Sequence, residues 1–320
     1  MKILAVQNRK GIGDTVIFLS FIEAISKKYS TPIDLLVRES SKVEQILTGI
    51  KYINNIHILD RNDQSNGNHD GLFGAIKLIK DLKHKNFDKI FIFNSSLRFN
   101  LIAKLTRIKE VFQYPLFKKD KQHIIETAKT FLKESINIED FNDPNIEVNK
   151  DYIAKVISRF NINKKDTNIL LGIGGSGPTK RIPAKIFIKF MERIIENKSC
   201  RFFLATGKNK DEQNILDEIM NSKLGYLCTP LDNLEIKDTL PIIQNCNAAV
   251  CNDTSFSHLS AALGVNTITL MADTPLIYGS YSSKMHPIIP DGEKSVTHNT
   301  LGKDKINPDK ILKKLIKILN

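Results

Sequence analysis

Cys251-Asn252-Asp253-Thr254-Ser255-Phe256-Ser257-His258-Leu259-Ser260-Ala261-Ala262-Leu263-Gly264-Val265 is the stretch whose reading decides the fold class. Ala248 to Cys251 form an apolar run of strand length, the strand ends at Asp253, and small polar residues then open a helical pattern over Ser257 to Leu263. Gly264 closes that helix at its C-terminal cap position. A strand feeding a helix in this way is the βα turn of a parallel sheet, and open α/β sheets bind ligands outside the carboxyl ends of their strands. Asp253, Thr254, Ser255 and His258 therefore stand where a ligand would. N–H groups at such a helix start can hold a pyrophosphate without any metal. His258 lies one turn into the helix, within reach of the phosphates or of its own first turn; a lone histidine in that place is more often structural.

Moving outward, Gly172-Ile173-Gly174-Gly175-Ser176-Gly177-Pro178-Thr179-Lys180-Arg181-Ile182-Pro183 also follows a strand, Ile169 to Ile173, and precedes a helix, Ala184 to Asn197. The loop presents backbone N–H groups from a flexible chain together with two cations, a chemistry suited to phosphate. Read alone it is equally a glycine-rich connection with two solvated basic residues. The Gly-Lys-Ser/Thr ending of a Walker loop is absent. Further strands fit Arg201 to Ala205, Tyr226 to Leu227 and Thr267 to Leu270, with helices over Lys210 to Met220 and Glu235 to Ile243. Asn307-Pro308 opens a closing helix, with Asn as cap and Pro in the first turn.

The first half repeats the rhythm. Ile3 to Gln7, Ile33 to Val37, Ile56 to Leu59, Ile90 to Phe93 and Glu110 to Phe112 read as strands, and Thr15 to Tyr29, Val43 to Leu47, Leu72 to Leu82 and Asn100 to Leu105 as helices. Arg61 to Asp70 is too rich in turn formers to be an element and is a surface loop after the third strand. From about 113 to 166 the pattern is less regular. The expected organisation is α/β, with two Rossmann-like domains, 1–155 and 156–320, facing across a cleft, and the final helix a candidate to pack back toward the first domain.

The first strand runs through Asn8-Arg9-Lys10-Gly11-Ile12-Gly13-Asp14-Thr15 into a helix. Gly13 and its neighbour Gly11 allow a sharp turn, and Asp14 lands near a helix N-terminus, as a cap or as something more. The dinucleotide fingerprint fails here, because the third glycine and an acidic ribose partner are missing.

At 320 residues, 41% apolar and 26% charged, the chain has the composition of a folded globular protein, and no segment reaches the roughly 18 uninterrupted apolar residues of a membrane span. Gln7 to Lys10 interrupts the first apolar run before a signal-peptide core could form, so a cytoplasmic location is expected. The four cysteines, Cys200, Cys228, Cys246 and Cys251, lack zinc-ligand spacing and are expected to be buried free thiols. The net charge of +12 points to an acidic partner: nucleotide phosphates, an anionic membrane surface or nucleic acid. Nucleic acid ranks last, since the chain has no aromatic-rich RNA motif, no clear recognition helix and no concentrated basic arm.

Asp253 to Gly264 resembles the DTGxxHLxAALG signature of the heptosyltransferases, glycosyltransferase family nine. Gly11-Ile12-Gly13-Asp14 resembles that family's N-terminal GxGD loop, Phe87-Asp88 with Asn94 to Arg98 its fourth-strand region, and Thr179 to Pro183 its basic segment entering a helix. The resemblance covers nearly the whole chain. It departs at Ser255, where the family usually has Gly, at Ser20, where Pro is common, and in the loop after the third strand, whose evident cations are Arg61 and His69.

The resemblance implies a GT-B fold and an inverting, metal-independent glycosyltransferase without a cofactor. It would move a sugar, typically heptose from ADP-heptose, to a lipopolysaccharide core or related envelope glycan. In that scheme Asp14 is the catalytic base and Lys180, with Arg181, neutralises the departing diphosphate. Gly13, Ser176, Thr179, Gly207, Glu212, Asp253, Thr254, Ser255 and His258 form the rest of the donor site, with Glu212 at the ribose. Arg61 and Arg98 are candidate acceptor contacts, and the enzyme would visit an anionic membrane surface at the inner face of the inner membrane. The alternative is a sugar-nucleotide epimerase or hydrolase of the same fold.

Overall fold

Ile3–Gln7 is buried along its whole length, as a strand covered by helices on both faces must be. In the computed structural model, which describes residues 1–47, 49–62, 67–116, 123–160, 162–163 and 165–320, this strand (β1) is the middle of a five-stranded sheet. The others are β2 Ile33–Arg38, β3 Ile53–Leu59, β4 Lys89–Ile92 and β5 Glu110–Gln113, in the order β3-β2-β1-β4-β5 and parallel throughout. The connecting helices are α1 Ile12–Tyr29, the short α2 Val43–Ile46, α3 Gly71–Lys83 and α4 Leu97–Leu105, followed by α5 Ile124–Ile136. The helices α3 and α4 pack on each other, and α1 packs on α5. Leu4, Val6, Leu36, Ile90 and Ile92 of the sheet meet Leu78, Leu82, Phe99 and Ile102 of α3 and α4 in one core.

The second sheet has six parallel strands, β6 Thr167–Gly172, β7 Cys200–Ala205, β8 Cys228–Pro230, β9 Ala248–Asn252, β10 Thr267–Leu270 and β11 Met285–Ile288, in the order β11-β10-β9-β6-β7-β8. Around it lie α6 Lys150–Arg159, α7 Ala184–Ile195, α8 Lys210–Met220, α9 Ile236–Gln244, α10 Ser255–Ala262 and α11 Pro308–Leu319. Numbered from its own first strand, each sheet has the doubly wound 3-2-1-4-5 order, and the second adds a sixth strand. In each, strand order reverses beside the first strand, so loops from the carboxyl ends of β1 and β4, and of β6 and β9, diverge and leave room for a ligand.

Several elements differ from expectation. Gly225–Leu227 is a 3-10 turn and the strand begins at Cys228. The helices α5 and α6 lie where the pattern read as irregular. His123 caps α5 by accepting from the Ile125 N–H, an unusual cap, while α6 has few buried residues to mark its period. The chain divides between Pro144 and Asn145, earlier than 155/156, because α6 packs on α9 and the Ile146 N–H donates to the Ala262 carbonyl at 2.9 Å. The closing helix α11 starts as expected, with Asn307 accepting from the Asp309 N–H and Pro308 in the first turn. It buries Ile311 and Leu315 against the second unit's own core, beside α7. The loop after β3 closes on itself through Asp60, His69 and Asp70, with residues 63–66 outside the described set.

Candidate active site

The carboxyl edge of the first sheet presents Asp14 from the opening turn of α1. Gly11, with extended backbone, is the cap residue and no side chain caps this helix, so Asp14 is not its N-cap. Its carboxylate instead accepts from Arg9 Nε at 2.7 Å, an ion pair that remains partly exposed. The loop carrying Arg9 is held from several sides. Gln7 Oε1 accepts from the Arg9 N–H, Asn8 O from Arg38 Nε, Asn8 Oδ1 from Asn94 Nδ2 and Lys10 O from Ser40 Oγ. Loops from the ends of β2 and β4 thus fix where Asp14 sits, and Gly13 is buried beside it. Arg9 was legible only as one of two cations in a loop.

Arg61 and Arg98 lie together but are occupied. Arg61 Nε donates to Asp70 Oδ1, and Arg98 donates to the carbonyls of His69 and Gly71, tying the start of α4 to the start of α3. His69 is buried, accepting from the Asp60 N–H on Nδ1 and donating from Nε2 to Asp81. All three hold the β3–α3 loop. Ser20, in place of a common Pro, donates to the Asn142 carbonyl from the middle of α1.

At the carboxyl edge of the second sheet, Asp253 follows β9 and is buried. Its Oδ2 accepts from Lys180 Nζ at 2.7 Å, and its Oδ1 lies 3.8 Å from His258 Nε2. Burial alone would raise its pKa, but Lys180 and His258 outweigh that and hold it below the usual carboxylate range. The opposite ring nitrogen of His258 pairs with Tyr281 Oη at 2.8 Å, and the two rings stack. The sequence reading missed Tyr281, which lies in an irregular segment with no periodic signal.

Thr254 is the N-cap of α10, its Oγ1 accepting from the Phe256 N–H and its carbonyl from the Ser257 N–H. Ser255, the first residue of that helix, is not among the residues with positive φ. Serine therefore takes its place there without backbone strain.

Glu212 is buried between two loops. One oxygen accepts from the Gly175 N–H at 2.6 Å and the other from Asn209 Nδ2. A Cβ on Gly174 would come 2.5 Å from Glu212 Oε1, and one on Gly207 would overlap Oε2, so both positions need glycine if the carboxylate is to sit there. In this arrangement Glu212 braces the loops after β6 and β7. Arg181 is likewise engaged, with Asn209 and Asp211. Ser176 is exposed and Thr179 half-buried on the glycine loop, whose turn closes through the Lys180 N–H on the Gly177 carbonyl. Lys180 is thus the loop's cation nearest the buried carboxylate. Among the described residues, no three His, Cys, Asp or Glu side chains gather as a metal centre requires. The thiols are free; Cys200, Cys246 and Cys251 are buried and Cys228 half-buried. Desolvation pushes Cys200 up to about 11, so it stays a thiol at neutral pH.

The glycine loop, the buried Asp253 with its lysine, and the start of α10 meet at the carboxyl edge of the second sheet. Residues 75–296 match glycosyltransferase family 9 (heptosyltransferase). The chain belongs to that family. It is 22% identical over 332 residues to lipopolysaccharide heptosyltransferase 1 of Campylobacter coli, covering 94% of this chain and 92% of that protein. Its fold is that of E. coli ADP-heptose lps heptosyltransferase II, at TM-score 0.76 and 17% identity over 100% of this chain and 98% of that one. E. coli heptosyltransferase WaaC with ADP follows at TM-score 0.72 and 12% identity, with 99% and 100% covered. The chain is a GT-B glycosyltransferase, and both sheets described above are its Rossmann-like domains. No helix among the described residues is long and apolar enough to cross a membrane.

Proposed function

We propose that this family 9 enzyme transfers heptose from ADP-heptose to a sugar of the lipopolysaccharide core, with inversion and without a metal or other cofactor. The observation that carries the donor half of the reading is the buried Asp253–Lys180 pair beside the α10 N-terminus. A cation and helix-start N–H groups at one strand edge form a site for a diphosphate. The solved E. coli heptosyltransferase WaaC is with ADP, which supports an adenine nucleotide.

In the proposed reaction the acceptor hydroxyl oxygen attacks the anomeric carbon, the bond from that carbon to the diphosphate oxygen breaks, and the hydroxyl proton passes to Asp14. General-base help of this kind is worth about 10²–10⁴ in rate. The negative charge that develops on the departing ADP is met by Lys180 and by the N–H groups opening α10. Asp253 orients Lys180, and His258 with Tyr281 orients Asp253. Glu212 and Arg181 keep the two loops of the nucleotide site in place, with Ser176, Thr179 and Gly207 on those loops. The acceptor reaches the enzyme at the cytoplasmic face of an anionic membrane.

Calorimetric titration with ADP, UDP and GDP, followed by mass spectrometry of product from ADP-heptose and a core-oligosaccharide acceptor, tests the reading. Preferential ADP binding and a heptosylated acceptor support it. Equal affinity for the three nucleotides, or turnover of ADP-heptose with no acceptor present, overturns it.

A further inference from the structure

Folded chains rarely leave large apolar side chains wholly in water in adjacent places. On the first unit, α3 exposes Leu72 (83%), Phe73 (88%) and Ile76. The helix packed beside it, α4, exposes Leu97, Leu101 and Leu105 at a spacing of four, which lines them along one outer stripe. The inner faces of both helices supply the core through Leu78, Leu82, Phe99 and Ile102, so these six residues are not needed to fill it. Arg98, bonded to the Gly71 carbonyl, joins the first turns of the two helices, bringing the stripe beginning at Leu97 alongside Leu72.

The charge around this surface has one sign. Residues 71–109 hold nine Lys or Arg and two Asp or Glu. On α3 the outward Lys77, Lys80 and Lys83 follow the apolar turn, and on α4 Lys104 stands beside Leu105, all exposed. A second copy of the chain would face this surface with the same charge, which disfavours self-pairing. An apolar face rimmed by lysine matches a bilayer of anionic lipid, whose acyl boundary takes the apolar side chains while its headgroups take the cations.

We propose that the outer face of α3 and α4 docks the enzyme on an anionic lipid surface, with Leu72, Phe73 and Ile76 entering the headgroup–acyl boundary. This gives a place to the membrane contact of the function proposed above and is independent of the donor assignment. The docking face shares the loop held by Arg61, Arg98 and His69, so a lipid-anchored acceptor would be presented beside the β3–α3 loop.

The test is flotation of the full chain with vesicles of phosphatidylethanolamine and phosphatidylglycerol, against vesicles of phosphatidylcholine, at low and physiological salt. Wild type is expected to bind the anionic vesicles, less at higher salt. The double variant Leu72→Ser/Phe73→Ser is expected to bind about tenfold or more weakly, since each fully buried Leu or Phe contributes about that factor. Lys77→Glu/Lys80→Glu/Lys104→Glu is expected to abolish the preference for anionic vesicles. All of these positions are exposed, and unchanged circular dichroism and ADP affinity show that the fold and donor site are intact. Binding unaffected by Leu72→Ser/Phe73→Ser, or equal binding to both vesicle types, overturns the proposal and leaves the transfer reading standing. So does a concentration-dependent dimer in ultracentrifugation that the double variant abolishes, which would make the face a contact between copies.

Discussion

The two Rossmann-like units share a winding order and use their carboxylates in opposite ways. In the first, the carboxylate at the ligand edge is Asp14, whose side chain is 24% exposed and paired with a more exposed arginine, Arg9. The locked carboxylate of that unit, Asp34, sits at the other end of the sheet, bonded to His57 and Asn54. In the second unit the locked carboxylate is at the ligand edge itself: Asp253 is 5% exposed and bound to Lys180. A buried, fully partnered carboxylate is fixed in charge and position, which suits holding a phosphate-binding lysine. A partly solvated one can take up a proton without being stranded in low dielectric, which suits a base. The proposed function accordingly assigns chemistry to the strand edge of the first unit and donor binding to that of the second.

The sharpest way to break this comparison is Asp14→Asn. The change keeps the size of the side chain and removes the proton acceptor, so transfer is expected to fall about 10²-fold or more. Because Gly11 rather than Asp14 occupies the cap position, thermal stability should stay within about 1 kcal/mol of wild type. Near-normal transfer by Asp14→Asn would move catalysis away from the first unit.

Next in size is Lys180→Ala, which removes the cation assigned to the diphosphate in the proposed function and leaves Asp253 without its lysine partner. A charge-assisted contact of this kind is worth roughly 1.5–3 kcal/mol, so ADP affinity should fall about 10- to 150-fold. Unchanged affinity in a folded variant would return Lys180 to a structural role.

A smaller effect reads the locked carboxylate of the first unit, Asp34, by pH. Burial works to raise the pKa of Asp34, but the hydrogen bonds from His57, Asn54 and Asn55 outweigh it and hold it below the usual carboxylate range. Its stabilisation is therefore complete above the unfolded value of about 4 and is lost as pH falls through the lower folded value. Chemical denaturation between pH 5 and pH 3, read at about half-unit steps, should show wild type losing stability more steeply than Asp34→Asn. Parallel curves would mean that the pair contributes nothing.

The least effect is expected from Arg9→Gln. Exposed ion pairs contribute about 0–1 kcal/mol, so the melting temperature should hardly move. A large loss of stability would show the β1–α1 loop to be rigid through Arg9 and not through its backbone contacts to Arg38 and Ser40.

Most of the fold was legible because buried parallel strands are continuous apolar runs ending in polar turns, and β1, β6 and β9 are of that kind. The helices α5 and α6 were hidden, one behind a histidine cap and the other by its sparse apolar face. In the candidate site, the positions of Asp14, Lys180 and Asp253 in the segments that follow β1, β6 and β9 were readable from the strand pattern. Their partners were not, because Arg9 acts through a side-chain direction and Tyr281 meets His258 across 23 residues of irregular chain. The engagement of Glu212 and Arg181 with neighbouring loops is likewise a product of packing that spacing along the chain does not encode.

The division of labour is tested most directly by titrating ADP calorimetrically into wild type, Asp14→Asn and Lys180→Ala under identical conditions. If the division holds, Asp14→Asn binds ADP as wild type does while Lys180→Ala binds it about tenfold or more weakly. Loss of ADP affinity in Asp14→Asn with Lys180→Ala unaffected would contradict it.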